Sequence, residues 1–214
     1  MWVKICGITV PEDIHAAASA DAIGLNFYKL SKRYVAPNTA AELARLARPG
    51  QEIVGVFVNS SLSRVIETAD LAGLTAVQFH GDESPAAVAE FQRQRPDLKI
   101  IRAFRIGNDG VGSVNEWLQD LAEQNVNLAG LLVDAFVAGE YGGTGHRIDP
   151  AFLEARQDWW PPLILAGGLT PETVQQSIAA VQPWGVDTAS GVEDTPGRKN
   201  HDRVSRFVSL ARKQ

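Results

Sequence analysis

The feature that most constrains this chain is an alternation that never breaks. Short apolar runs at Val3–Ile5, Ala22–Phe27, Ile53–Val58, Ala76–Phe79, Ile100–Phe104, Gly130–Asp134, Leu163–Ala166 and Gly185–Thr188 read as strands. Amphipathic stretches read as helices between and after them: Pro11–Ser19, a segment capped by Asn38 or Thr39 and running through Leu43 to Ala47, Ser61–Ala72, Ser84–Gln94, Ser113–Glu123, Pro150–Glu154, Pro171–Ala179 and Asp202–Arg212. Ser84-Pro85 is an N-cap followed by a first-position proline. Strands that alternate with helices imply crossover connections and a parallel sheet. Eight units select a closed (β/α)8 barrel, a TIM barrel, over an open sheet. A doubly wound sheet would want a glycine fingerprint after its first strand, and Gly7 stands alone there. No linker, low-complexity segment or shift in composition divides the chain, so residues 1–214 are expected to form a single α/β domain.

Charge and cysteine usage narrow the function. The net charge of −5 is spread without a basic stripe, which argues against nucleic acid as a partner. No run is long and apolar enough to suggest a membrane span, and Met1-Trp2-Val3-Lys4 leads into a strand without the pattern of a signal peptide. One cysteine cannot close an intramolecular disulfide, which suggests a cytoplasmic setting, and four scattered histidines offer no ligand spacing, so no metal is expected.

In such a barrel the reactive groups gather where strands end. Cys6 ends the first strand, and Lys29, Lys32 and Arg33 follow the second. Gln78, His80, Asp82 and Glu83 close the fourth, Arg102 and Arg105 lie on the fifth, and Asp134 ends the sixth. Gly167-Gly168 after strand seven and Ser190-Gly191 after strand eight leave backbone N–H groups free to converge on a phosphate. Cys6 and Asp134, from different strands, suit a thiolate base and a carboxylic acid in the isomerisation of a sugar phosphate. A buried structural cysteine, and an Asp134 paired with Arg102 or Lys4, are the plainer alternatives. Lys4 is taken to point away from Cys6 along a regular strand and so not to lower its pKa. Arg33 has the fork to grip a carboxylate, though a loop arginine is more often solvated. His80 reads as closing a loop, and Asp82 and Glu83 as structural acids near a helix N-terminus. His15, His146, Arg147 and His201 carry no evident chemistry. Trp159-Trp160 precede strand seven at the far end of the barrel and suggest packing or an association patch.

The motifs Lys4-Ile5-Cys6-Gly7-Ile8-Thr9, Ser31-Lys32-Arg33-Tyr34-Val35, Val77-Gln78-Phe79-His80-Gly81-Asp82-Glu83, Leu132-Val133-Asp134, Gly142-Gly143-Thr144-Gly145, Ala166-Gly167-Gly168-Leu169 and Ser190-Gly191-Val192-Glu193 occur in an order that resembles the phosphoribosylanthranilate isomerases of tryptophan biosynthesis. The resemblance covers essentially the whole chain. It implies an Amadori rearrangement of a phosphorylated small molecule, with Cys6 as general base and Asp134 as general acid. Arg33 would hold the anthranilate carboxylate, and Gly143, Gly167, Gly168, Ser190 and Gly191 the phosphate. Lys4, Gln78 and His80 are further active-site candidates. No cofactor or metal is implied, and the chain is expected to be a monomer or homodimer. Lys32 before Arg33, Thr188-Ala189 before Ser190, and Asn200 after Lys199 depart from the family pattern. Two other readings are a histidine-pathway isomerase, whose base is expected to be aspartate, and a silent barrel that binds a sugar phosphate.

Overall fold

The computed structural model describes residues 1–106, 111–135 and 156–213. Eight parallel strands pair in chain order: β1 (Trp2–Cys6), β2 (Ala22–Asn26), β3 (Glu52–Phe57), β4 (Ala76–Phe79), β5 (Lys99–Ile106), β6 (Gly130–Ala135), β7 (Leu163–Leu165) and β8 (Gly185–Thr188). The barrel closes where β8 pairs with β1, in a register that sets Lys4 opposite Asp187. Around it lie α1 (Pro11–Ala16), α2 (Pro37–Ala44), α3 (Leu62–Ala72), α4 (Pro85–Gln94), α5 (Gly112–Ala122), α6 (Val174–Val181) and α7 (His201–Arg212). A small antiparallel ribbon, β9 (Glu193–Thr195) and β10 (Arg198–Lys199), leads into α7. The expected helix at 150–154 falls outside the described residues, as do Gly143, His146 and Arg147.

Helix starts follow local chemistry. Ser84 caps α4 as expected, its hydroxyl accepting from the Ala87 N–H at 3.3 Å. The expected Asn38 or Thr39 cap is not used: α2 begins at Pro37 after Ala36, with no side-chain cap. Proline at this position is already fixed in φ, and its missing N–H removes a donor that would otherwise lack a helical partner. α6 begins at Val174, later than the expected Pro171, because Thr170 and Thr173 bond locally. The Thr170 N–H donates to Thr173 Oγ1 at 3.0 Å, and the Glu172 N–H donates to Thr170 Oγ1 at 3.2 Å. Asn200 caps α7 by accepting from the Arg203 N–H at 2.9 Å, which serves the helix as an aspartate would.

Alternation along the strands creates two apolar layers. Val3, Ile5, Ile23, Leu25, Val77, Phe79 and Val133 pack outward against the helices. Ala22, Val54, Ala76, Ile101, Leu132 and Ile164 fill the interior, with Trp2 packed against them. Each fully buried large apolar side chain stabilises the fold by about 1.5–3 kcal/mol. On β1 the same period places Trp2, Lys4 and Cys6 together on the inner face. This corrects the expectation that Lys4 points away from Cys6: residues two apart on a strand share a face.

Candidate active site

Many of the inner-face residues nearest the C-terminal ends of the strands are polar, and they open into one mouth. Its wall holds Cys6 from β1, Gln78 from β4 with His80 just beyond, Asp134 from β6 and Asp187 from β8. The loops after β2, β7 and β8 add Arg33, Gly167, Gly168 and Ser190. Cys6, Asp134, Arg33, Gln78, His80 and three of the four described phosphate candidates are therefore brought together as expected.

Gly191 is the fourth candidate, and it stands behind that wall. A Cβ there would collide with the Leu169 carbonyl oxygen, so its lack of a side chain lets the β7 and β8 loops approach. The same loops are tied by Thr188 Oγ1, which donates to the Leu169 carbonyl at 2.7 Å. Gly167 and Gly168 both adopt positive φ, at 87° and 63°, the conformation that favours glycine.

Room for the thiol is made by Gly24, opposite Cys6 in the β1–β2 register; a Cβ there would lie 2.7 Å from Sγ. Burial pushes the Cys6 thiol up from its ordinary value, while Lys4 and Lys199 act to lower it and Asp187 to raise it. Lys4 is fully buried directly below, its Nζ donating to Asp187 Oδ1 at 2.8 Å. Burial acts to lower Lys4, but Asp187 and Cys6 outweigh it and hold the ammonium above its usual range.

Lys199 approaches from the other side. Its Nζ donates to the Cys6 carbonyl at 2.6 Å, the Ala189 carbonyl at 3.1 Å and Glu193 Oε1 at 2.7 Å. Glu193 also takes Arg33 in a fork, from Nε at 2.8 Å and Nη2 at 2.7 Å. Burial acts to raise the Glu193 carboxyl, but Arg33 and Lys199 prevail and hold it below the usual carboxylate range. Two of the five guanidinium N–H donors are thus occupied by a protein carboxylate, and Arg33 is no solvated loop charge.

Across the mouth, the Gln78 amide donates to His80 Nδ1 at 2.8 Å, which leaves the ring proton on Nε2. Burial, then Lys4, Arg102 and Arg105, push His80 down to about 3, so the imidazole is neutral. Its Nε2 lies 3.8 Å from Asp134 Oδ2, too far for a hydrogen bond. His80 thus faces the site and does not merely close a loop. Arg102 is 3.3 Å from Glu83, and Lys4 holds Asp187. Glu83 is structural as expected, accepting from the Asn59 N–H at 2.8 Å and the Gly81 N–H at 2.9 Å.

The residues least anticipated are Asp187, which the β1–β8 register sets in the wall of the mouth, and Glu193 and Lys199, which the β9–β10 ribbon brings beneath it. Period-two counting from Lys4 signals the inward setting of its neighbour Cys6; nothing local signals Lys199. Among the described residues, no group of three or more His, Cys, Asp or Glu side chains could hold a metal ion. No helix among them is long and apolar enough to cross a membrane.

Residues 3–210 match the family model described as N-(5'phosphoribosyl)anthranilate (PRA) isomerase. A protein of Geobacter sp. (strain M21) named N-(5'-phosphoribosyl)anthranilate isomerase is 40% identical, over 99% of this chain and 98% of its own. A protein of Ralstonia nicotianae with the same name is 42% identical, over 98% and 92%. The solved phosphoribosyl anthranilate isomerase of Thermotoga maritima superposes with a TM-score of 0.84 at 33% identity, covering 99% of this chain and 98% of that one. Another structure of that enzyme holds mutually generated monomers of the dimeric protein, at TM-score 0.83 and 32% identity, over 99% and 98% of the two chains. A phosphoribosyl anthranilate isomerase in complex with reduced 1-(o-carboxyphenylamino)-1-deoxyribulose 5-phosphate gives a TM-score of 0.81 at 33% identity, again over 99% and 98%.

Proposed function

The chain belongs to the N-(5'-phosphoribosyl)anthranilate isomerase family, and from that premise we propose that Cys6 is its general base and Asp134 its general acid. The activity is the rearrangement of N-(5'-phosphoribosyl)anthranilate to 1-(2-carboxyphenylamino)-1-deoxyribulose 5-phosphate, a step of tryptophan biosynthesis. The observation that carries the assignment is the shared mouth, with a thiol and a carboxyl group on strands from opposite parts of the barrel.

In this scheme Asp134 protonates the ribose ring oxygen as the bond from C1 to that oxygen breaks, giving an open-chain Schiff base. Cys6, as thiolate, takes the proton from C2, and the electron pair moves to form the enolamine. Tautomerisation then gives the ketone. Only protons move, so the scheme calls for no cofactor or metal, and each proton transfer is worth about 10²–10⁴-fold.

The β7 and β8 loops flank the mouth with Gly167, Gly168 and Ser190, which supports placing the phosphate there; Gly191 serves by letting those loops meet. Arg33 would hold the anthranilate carboxylate with the donors that Glu193 leaves, its fork steadied in advance. The partner is then a small phosphorylated molecule, and nucleic acid has no part in the scheme. A free thiol suits the cytoplasm. A monomer or a homodimer accords with the Thermotoga maritima relative, which has been obtained in both forms.

A histidine-pathway activity fits less well, because Cys6 stands where an aspartate base is expected. Freshly generated N-(5'-phosphoribosyl)anthranilate should lose its anthranilate-type fluorescence rapidly when the protein is added. A folded protein that binds phosphate but leaves the fluorescence unchanged would favour the silent barrel instead.

A further inference from the structure

Beneath the mouth lies an ion pair that the proton transfers do not use. Lys4 is fully buried one inward step below Cys6, and its ammonium donates to Asp187 Oδ1 at 2.8 Å. The same inner face of β1 carries Cys6, and the ammonium acts to lower its thiol. Strand register sets both partners: Lys4 lies opposite Asp187 between β1 and β8, and Cys6 follows Lys4 by one inward step. A buried ammonium with a single counter-ion is costly, and its three N–H donors can serve two acceptors at once.

We propose that Lys4 and Asp187 are positioning residues for the general base. Lys4 favours the thiolate form of Cys6 against the burial that opposes it, and Asp187 works the other way by competing for the same ammonium. The proposal rests on the reading of Cys6 as base. When Cys6 is a thiol, Asp187 neutralises Lys4; when Cys6 is a thiolate, Lys4 lies between two anions and stabilises both.

Other charges around the sulfur are accounted for. Lys199 approaches from β10 and donates to the Cys6 carbonyl, and Arg33 approaches from the loop after β2 already forked onto Glu193. Asp134 and the neutral His80 stand across the mouth. Burial drives the thiol up, while Lys4 and Asp187 act on it in opposite senses.

Because Cys6 is the chain's only cysteine, thiolate absorbance and iodoacetamide alkylation followed against pH report on it alone. Lys4→Gln should raise the thiol pKa by about one unit or more, slowing alkylation near neutral pH about tenfold. Asp187→Asn, a near-isosteric change, should lower the pKa and speed alkylation. Shifts of the same sign in both variants, or no shift in either, would overturn the proposal. Should Lys4→Gln fail to fold, Asp187→Asn decides alone: a thiol pKa unchanged or raised overturns it. The titration reads Cys6 whether or not it is the base. Persistent turnover in Cys6→Ala would remove the base assignment and leave the titration result standing, so the two failures are distinguishable.

Discussion

At the scale of single residues, the site is a set of charges whose states are fixed by neighbours. Arg33 illustrates this. Its fork onto Glu193 means that, in the proposed role, a substrate carboxylate would meet a guanidinium already held in place, with Lys199 holding Glu193 from behind. Arg33→Ala should therefore raise KM far more than it lowers kcat. Hydrogen bonds to charged groups contribute about 1.5–3 kcal/mol, so the expected rise is about tenfold or more. Glu193→Gln should raise KM by a smaller factor, because the guanidinium remains but its orientation loosens. Steady-state kinetics on both variants check this, and an unchanged KM in Arg33→Ala would retire its role. That Cys6, Asp134 and Arg33 line one mouth was legible in the sequence, because the first two lie at strand ends and Arg33 in the loop after β2. Two-residue alternation puts Lys4 beside Cys6, contrary to the expectation that it points away. The Glu193–Lys199 pairing was not legible, because it depends on a two-stranded ribbon that brings residue 199 back beneath residue 6.

At the scale of elements, the strands were the easiest part to read and the helix starts the hardest. β4 and β8 occupy the expected residues, since a buried parallel strand is a short apolar run bounded by turns. Helix starts depend on competing local bonds, as at Thr170 and Thr173, and on whether a proline already fixes the first turn, as at Pro37. The loops after β7 and β8 are the elements the site depends on most, and Gly191 is where they touch. Gly191→Ala should force them apart, destabilising the protein by about 1–3 kcal/mol, the typical cost of overpacking. Denaturant unfolding measures the loss. Because Ser190 is its neighbour, KM should rise as well. A fully stable variant with normal KM would show that the close approach at Leu169 does not matter.

At the scale of the whole molecule, the barrel separates its two tasks by face. Apolar side chains fill the interior and the strand–helix layer, while charged groups collect at one end of the strands. That separation followed from counting strands, because eight alternating units close in one way. The price of it is that titratable groups lie in a poorly solvated site, and stability must depend on pH. His80 ionises at about 3 in the folded protein against an ordinary value of 6.5. As pH falls below 6.5 the unfolded chain binds a proton that the folded one refuses, so stability declines down to the folded value and is flat above 6.5. The slope from this group approaches about 1.4 kcal/mol per pH unit. Urea unfolding between pH 4 and 7 should show a shallower acid decline in His80→Gln than in the wild type; identical slopes would contradict a buried neutral imidazole.

In the proposed mechanism a thiol and a carboxyl group facing one mouth carry out the rearrangement by proton transfer. Its most direct test is turnover of freshly generated N-(5'-phosphoribosyl)anthranilate by the wild type, Cys6→Ala and Asp134→Asn side by side. Circular dichroism on the same samples would establish that all three are folded. Rapid loss of fluorescence with the wild type, and a fall of at least about 10²-fold in each variant, is the predicted result. Near-normal turnover in either folded variant would contradict it.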